Sequence, residues 1–247
     1  MYLPTDHTST SDFPDNSTFR EKDWHILAGF WHPVAFSTEV QDKPHAAKLL
    51  DLDLVVYRTQ AGVVVARDRC PHRGSKLTLG WMDEKKNNIV CPFHGNHYDS
   101  QGKCTRIPSY ENQSAKIPKK MCLGTYQAVE RYGLIWTCLK DEALNPIPAW
   151  TPLESHGPEW RRIDIPKGRW QTSAARHAEN FSDMGHLSWV HMKTFGNREQ
   201  PQVPDYFMEK TESGLRFEIP YTSVERGFNA EKLGEKVVDY DMELTYP

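Results

Sequence analysis

Two short loops constrain this chain more than anything else in it: Cys70-Pro71-His72-Arg73-Gly74 and Cys91-Pro92-Phe93-His94-Gly95. Each supplies one thiolate and one imidazole, so the fold must bring two separate loops face to face. Two chemistries suit four such donors. A structural zinc is one, but zinc modules usually pair two cysteines in one loop and two histidines in another. A [2Fe-2S] cluster is the other, with Cys70 and Cys91 on one iron and His72 and His94 on its neighbour. The proline after each cysteine and the glycine near each histidine make tight loops. Such loops aim backbone N–H groups at sulfides and stabilise a reduced cluster. One donor of each kind per loop therefore favours the cluster. A centre of this kind passes single electrons and makes no bonds, so the rest of the chain has to supply a receiver.

The bulk properties narrow the setting. The 247 residues carry a net charge of −3 without a Lys/Arg block, which argues against nucleic-acid or anionic-membrane partners. Apolar runs such as Leu52–Tyr57 are far too short to span a bilayer, and no export signal opens the chain. Cys104, Cys122 and Cys138 lie outside the loops and read as buried apolar residues in a reducing compartment, which places the protein in the cytoplasm.

The pattern along the chain is mainly β, of α+β class. Residues 1–20 are polar and aperiodic and read as a disordered tail. From Trp24 short strands follow. Ala47–Arg58 and Val63–Arg67 form a hairpin through Thr59-Gln60-Ala61-Gly62, and Gln127–Arg131 and Gly133–Leu139 form another around Tyr132-Gly133. Val63–Arg67 leads into Cys70, Asn88–Val90 leads into Cys91, and Ile107-Pro108 closes a third loop over the cluster. This β domain spans 21–145. A linker rich in proline, 146–160, contains Pro146, Pro148, Pro152 and Pro158. In the second domain, 161–247, Ile163–Gln171 reads as a strand. Thr172-Ser173 caps a helix from Ala174 that carries Glu179 and Asp183, and strands return at 214–220 and 236–246.

The double loop resembles the Rieske family over about residues 24–140. Respiratory and photosynthetic members carry an extra cysteine in each loop that forms a disulfide. Here Phe93 stands at the second-loop position and no cysteine closely follows His72, which is similar to the branch of lower potential in oxygenases and their ferredoxins.

A second constellation follows, Glu179-Asn180-Phe181-Ser182-Asp183-Met184-Gly185-His186-Leu187-Ser188-Trp189-Val190-His191. Two histidines beside a carboxylate suggest a two-His-one-carboxylate site for non-haem iron(II), open to O₂ on its far side. At about 100° per residue Asp183 and His186 share a helical face, whereas His186 and His191 lie roughly 140° apart. The helix therefore has to end or loosen between Leu187 and Val190. Unrelated histidines on a solvated helix are the plainer alternative.

Both motifs together resemble the terminal oxygenase component of Rieske non-haem iron oxygenases. The resemblance implies a helix-grip (START-like) catalytic domain, with His186 and His191 on the mononuclear iron. Asp183 would bridge by hydrogen bonds to a cluster histidine of a neighbouring subunit in a homotrimer. It also implies a reductase or ferredoxin fed by NAD(P)H. Only Ser182 lies between Glu-Asn-Phe and Asp183, and Phe30-Trp31-His32-Pro33-Val34 and Glu130–Trp136 look like the monooxygenase and demethylase branch (dicamba, vanillate, caffeine). The expected activity is O₂-dependent hydroxylation or O/N-demethylation of a small aromatic or alkaloid-like substrate. Asn180 could orient groups near the iron or be an ordinary helix-side amide. The family's third ligand, an aspartate from far downstream, is not matched. Asp205, Asp239 and Asp241 are candidates, but the last two alternate with apolar residues as a solvated face does. The catalytic domain thus reads as truncated. The rival readings are a Rieske ferredoxin-like electron carrier with an unrelated C-terminal extension, and a degenerate paralogue that binds ligand without turnover.

Overall fold

The structure, a computed structural model, describes residues 13–110, 117–149, 154, 157, 161, 163, 165, 167–211, 214–227, 229 and 231–245. The chain divides into two compact units between Leu153 and Glu154. Most of the proline-rich stretch 146–160 lies outside the described residues, as do residues 1–12 of the expected tail.

The first unit is built from β1 (His32–Phe36), β2 (His45–Leu49), β3 (Leu52–Thr59), β4 (Gly62–Arg67), β5 (Trp81–Met82), β6 (Ile89–Val90), β7 (His97–Tyr98), β8 (Cys104–Arg106), β9 (Thr125–Arg131) and β10 (Leu134–Cys138). Six of these form an antiparallel sheet in the order β1-β10-β9-β4-β3-β2, and β5-β6-β7-β8 form a smaller one. Strand β3 explains how the two fit together. Its apolar run is buried on both faces, because successive side chains point to opposite sides. Val55 and Tyr57 pack with Ile89, Tyr98 and Cys104 of the small sheet, whereas Leu54 and Val56 pack with Trp24, Ala28 and Ile135.

Three local expectations are corrected. The segment around Trp24 is a helix, α1 (Glu21–Leu27), not a strand. Its one buried residue, Trp24, donates from Nε1 to the Leu50 carbonyl at 2.8 Å, and Glu21 and Asp23 in the first turn suit the helix dipole. The polar start is ordered from Phe13, whose ring meets Trp24 edge-on at 5.8 Å, and Thr18 donates twice to Asp51. The expected strand Ala47–Arg58 is two strands joined at Leu50-Asp51, where φ is 46° and 67°. Two consecutive left-handed residues match the twist of a tight hairpin, a turn normally announced by Asn-Gly.

The second unit contains α2 (Ala174–Ser182), α3 (Leu187–Val190) and the sheet β11-β12-β13, formed by Met208–Lys210, Gly214–Arg226 and Lys232–Thr245. Ser173 caps α2 by accepting from the Arg176 N–H. Met184 and Leu187 pack on Phe217, Ile219, Tyr240 and Met242 of the sheet. Here β12 runs on past Pro220, where the expectation ended it. Strand β11 pairs only with Leu215–Phe217, so Pro220 occupies a stretch with one free side. The strand expected over Ile163–Gln171 is absent among the described residues. The run holds Pro166 and Gly168, and neither favours a strand interior. The molecule is mainly β with few helices.

Candidate metal centres

The two cysteine–histidine loops have the same backbone design. Cys70 N–H donates to Ser75 O at 2.8 Å and Gly74 N–H returns to Cys70 O at 2.8 Å. Cys91 N–H donates to Asn96 O and Gly95 N–H returns to Cys91 O, both at 2.9 Å. Gly74 and Gly95 have φ of 74° and 68°, which side chains rarely adopt, so glycine is what lets each loop close. Pro108 lies against Gly95, covering the second loop as its sequence position suggests. Buried Asp68 staples the first loop: its carboxylate accepts from Leu77 N–H, Thr78 N–H and the Thr78 hydroxyl at 2.7–2.9 Å.

The side chains then converge in two pairs. His72 and His94 bring their Nδ1 atoms to 3.1 Å, with ring centroids 4.5 Å apart. Cys70 and Cys91 are buried and share a hydrogen bond. That bond, with help from the Phe93 and His94 amides and from Ser75, pulls the Cys91 thiol down to about 6. The same contact and burial push Cys70 up. The pair therefore loses its first proton readily and offers a thiolate near neutral pH. Burial, then the neighbouring His94 and Arg73, lowers the His72 value, which favours a neutral imidazole.

Among the described residues no three of His, Cys, Asp or Glu surround one point. A tetrahedral zinc would gather all four donors around one ion. A sulfur pair and a separate imidazole pair, two donors per metal, fit the two irons of a [2Fe-2S] cluster. Tyr98, fully buried beneath the loops, places its hydroxyl 3.2 Å from the Cys70 sulfur.

In the second unit the break in the helix falls earlier than expected. Chain geometry turns at Asp183, which ends α2 with φ −89° and ψ 106°, and His186 opens α3. Residues Leu187–Val190 are helical, so Asp183 and His186 do not share a helical face. Asp183 is instead folded back by its own Oδ1, which accepts from Gly185 N–H at 2.8 Å. This leaves Oδ2 3.5 Å from His186 Nδ1, a buried nitrogen with no hydrogen bond. The histidines flank α3, one at each end, and their rings come to 5.3 Å despite the awkward five-residue spacing. Two convergent imidazoles, one backed by a carboxylate at its second nitrogen, are suited to a ferrous ion.

Residues 30–127 match the Rieske [2Fe-2S] domain, and residues 170–247 match the vanillate O-demethylase oxygenase C-terminal domain. The chain belongs to the Rieske non-haem iron oxygenases. It is 35% identical to methylxanthine N1-demethylase NdmA of Pseudomonas putida over 201 residues, 77% of this chain and 55% of that protein. It is 30% identical to the vanillate O-demethylase oxygenase subunit of a Pseudomonas strain, covering 70% of this chain and 48% of that one. A solved structure of NdmA with caffeine superposes with a TM-score of 0.71 at 33% identity, over 80% of this chain and 58% of that one. Dicamba monooxygenase bound to dicamba gives 0.68 at 25% identity, over 79% and 57%. The chain spans about half the length of the curated relatives it matches.

Within this Rieske oxygenase chain the remaining candidates separate clearly. Asp183 is largely exposed at 59%, whereas His186 is 15% exposed. Asn180 is exposed on α2. Asp241 pairs with Arg216 across β12 and β13, and Asp239 is exposed on the same strand, the solvated face that alternation implies. Asp205 is exposed in a loop. Cys104 and Cys138 are buried as expected, but Cys122, expected buried, is exposed at an isolated bridge to Lys103. Sequence reasoning missed Asp68, Ser188 and Tyr221. Ser188, between the two histidines, lies 3.1 Å from the Tyr221 hydroxyl, which also accepts from Asn197 N–H at 3.2 Å.

Proposed function

We propose that the protein is the terminal oxygenase component of a Rieske-type monooxygenase, acting by O₂-dependent hydroxylation or O/N-demethylation on a small aromatic or alkaloid-like molecule. The observation that carries this reading is the second centre: a carrier needs only the double loop, yet this chain also folds His186 and His191 to within 5.3 Å of each other, with Asp183 behind one of them. The relatives' names agree in kind, since they describe demethylation of methylxanthines and vanillate.

When bound, the cluster supplies single electrons and the mononuclear iron supplies oxygen activation. The residues themselves divide the work. Cys70, Cys91, His72 and His94 would hold the cluster, the two cysteines being buried and the two histidines more exposed. His186 and His191 would hold the ferrous ion, and the Asp183 carboxylate, 3.5 Å from His186 Nδ1, is placed to orient that ring. The Asp183 carboxylate, 59% exposed, would also hydrogen-bond a cluster histidine of a neighbouring subunit, with a homotrimer as the working assembly. Electrons would come from NAD(P)H through a reductase or ferredoxin partner. The domain division 21–145 and 161–247 assigns one centre to each. Among the described residues no helix is long and apolar enough to cross a membrane, and a cytoplasmic location is part of the proposal.

The test is anaerobic reconstitution with ferrous iron and sulfide, followed by iron counting in the parent protein and in His186→Ala with His191→Ala. One iron should be lost with the cluster spectrum unchanged. Equal iron in both proteins would leave only an electron carrier.

A further inference from the structure

The two histidines of the second centre are held in different ways. His186 has the Asp183 carboxylate 3.5 Å from its Nδ1. His191 is held through its backbone: its carbonyl accepts from Thr194 N–H and Gly196 N–H, both at 2.9 Å, and from the Thr194 hydroxyl at 3.0 Å. Among the described residues no hydrogen bond or ion pair reaches either of its ring nitrogens. What the imidazole does meet is Phe195, four residues on, stacked at a centroid distance of 4.9 Å with the two planes 16° apart.

We propose that Phe195 is the positioning residue of His191: its ring, laid flat on the imidazole, fixes the plane in which His191 presents a nitrogen to the ferrous ion. The stack is secured from both ends. The three bonds to the His191 carbonyl close the turn that brings residue 195 back over residue 191. Beyond it, Phe195 O accepts from Val224 N–H at 3.0 Å and from the Ser223 hydroxyl at 3.3 Å, which ties the turn to β12. Phe195 is half-buried and stands outside the apolar core that Met184, Phe217 and Ile219 form, so its ring packs on the imidazole rather than into that core.

The geometry suits a ligand. A neutral imidazole offers its lone pair in the plane of the ring, so a neighbour lying on the face leaves the binding edge open. The stack also fixes His191 relative to His186, whose ring lies 5.3 Å away and is tilted by 58°. The outer torsion of a histidine is broad, and an unheld imidazole has to be ordered each time a metal binds. Holding it beforehand saves that cost. The Asp183 carboxylate is placed to do this for one histidine by a polar contact, and Phe195 does it for the other by an apolar one. The proposal deepens the reading of His186 and His191 as an iron pair and rests on it.

The experiment titrates cobaltous ion into the full chain, its cluster in place and its second centre emptied by chelation, and reads binding by calorimetry. Phe195→Leu keeps apolar bulk but removes the flat face, and cobalt affinity should fall roughly 2- to 12-fold, which is what one aromatic pair is worth. Phe195→Tyr keeps the face and should bind as the parent does, a rescue that mere space-filling would not require. Proton magnetic resonance reads the stack without metal. The His191 ring protons should be shifted upfield by Phe195 in the parent and in Phe195→Tyr, and should lose that shift in Phe195→Leu. Equal affinity in Phe195→Leu, a loss that Phe195→Tyr shares, or an unshifted His191 in the parent would overturn the proposal. Should Phe195→Leu fail to fold, Phe195→Met asks the same question with a side chain that adapts to the space; an affinity equal to the parent's there also overturns it. Failure of the iron-pair reading would look different: the parent would bind cobalt no better than His186→Ala with His191→Ala.

Discussion

Replacing Tyr221 with phenylalanine should loosen the turn that holds the two histidines of the second centre. The hydroxyl is the shared partner of the Ser188 side chain and the Asn197 N–H, and all three residues are at most 3% exposed. Tyr221→Phe removes one oxygen and creates almost no cavity, so the cost is polar rather than volumetric. Leaving the buried Asn197 N–H without an acceptor costs about 1–3 kcal/mol, while Ser188 can rotate to another partner. At 1.4 kcal/mol per factor of ten, opening of the segment should become roughly 5- to 150-fold easier. Amide hydrogen exchange of peptides covering 187–198 reads this directly, because Ser188 sits on α3 between His186 and His191. Exchange in β12 away from Tyr221 should change far less. Unchanged exchange over 187–198 would refute the claim that this hydroxyl ties α3 to the sheet.

Three further outcomes follow from the geometry. His72→Cys should retain a cluster but shift its absorption and lower its potential, because a thiolate adds the negative charge that an imidazole does not; an unchanged spectrum would remove His72 as a ligand. Gly196→Ala should disturb the histidine turn, since a Cβ there would sit 2.3 Å from the Leu187 carbonyl oxygen, and ferrous or cobaltous binding at the second centre should weaken while the cluster signal stays. Burial lowers the His32 value, and its Nε2 contacts the Leu27 carbonyl at 2.8 Å. The unfolded chain therefore takes up that proton first, so stability is full above the ordinary histidine value near 6.5. It should fall as pH drops toward the lower folded value, and urea titrations should show a shallower fall in His32→Gln.

How much of this was legible beforehand depended on range. The two Cys–His loops were readable because their cysteines, histidines, prolines and glycines lie within five consecutive residues, and the geometry is local to each. The histidine pair was readable as a candidate, but not its backbone. The turn at Asp183 is made by that residue's own side chain gripping Gly185, and helical periodicity carries no sign of it. Helix α1 escaped because a single buried residue, Trp24, leaves no pattern, and the Leu50-Asp51 turn escaped because it lacks the usual glycine or asparagine. Tyr221 lies 33 residues from Ser188. Only the pairing of β12 with β13 and the return of the chain after His191 bring such partners together, and one sequence does not display that. Asp68 was closer to hand: an aspartate two residues before the first loop's cysteine fits a staple, once the turn at Leu77–Leu79 is known to sit beside it.

The central claim is that Cys70, His72, Cys91 and His94 hold two irons between two thiolates and two imidazoles. Metal and sulfide analysis of anaerobically purified protein, with the paramagnetic resonance spectrum of its dithionite-reduced form, tests it most directly. The account predicts two irons and two sulfides per chain in the first unit and a rhombic signal that Cys91→Ser abolishes. One zinc per chain, no acid-labile sulfide and no signal on reduction would contradict it.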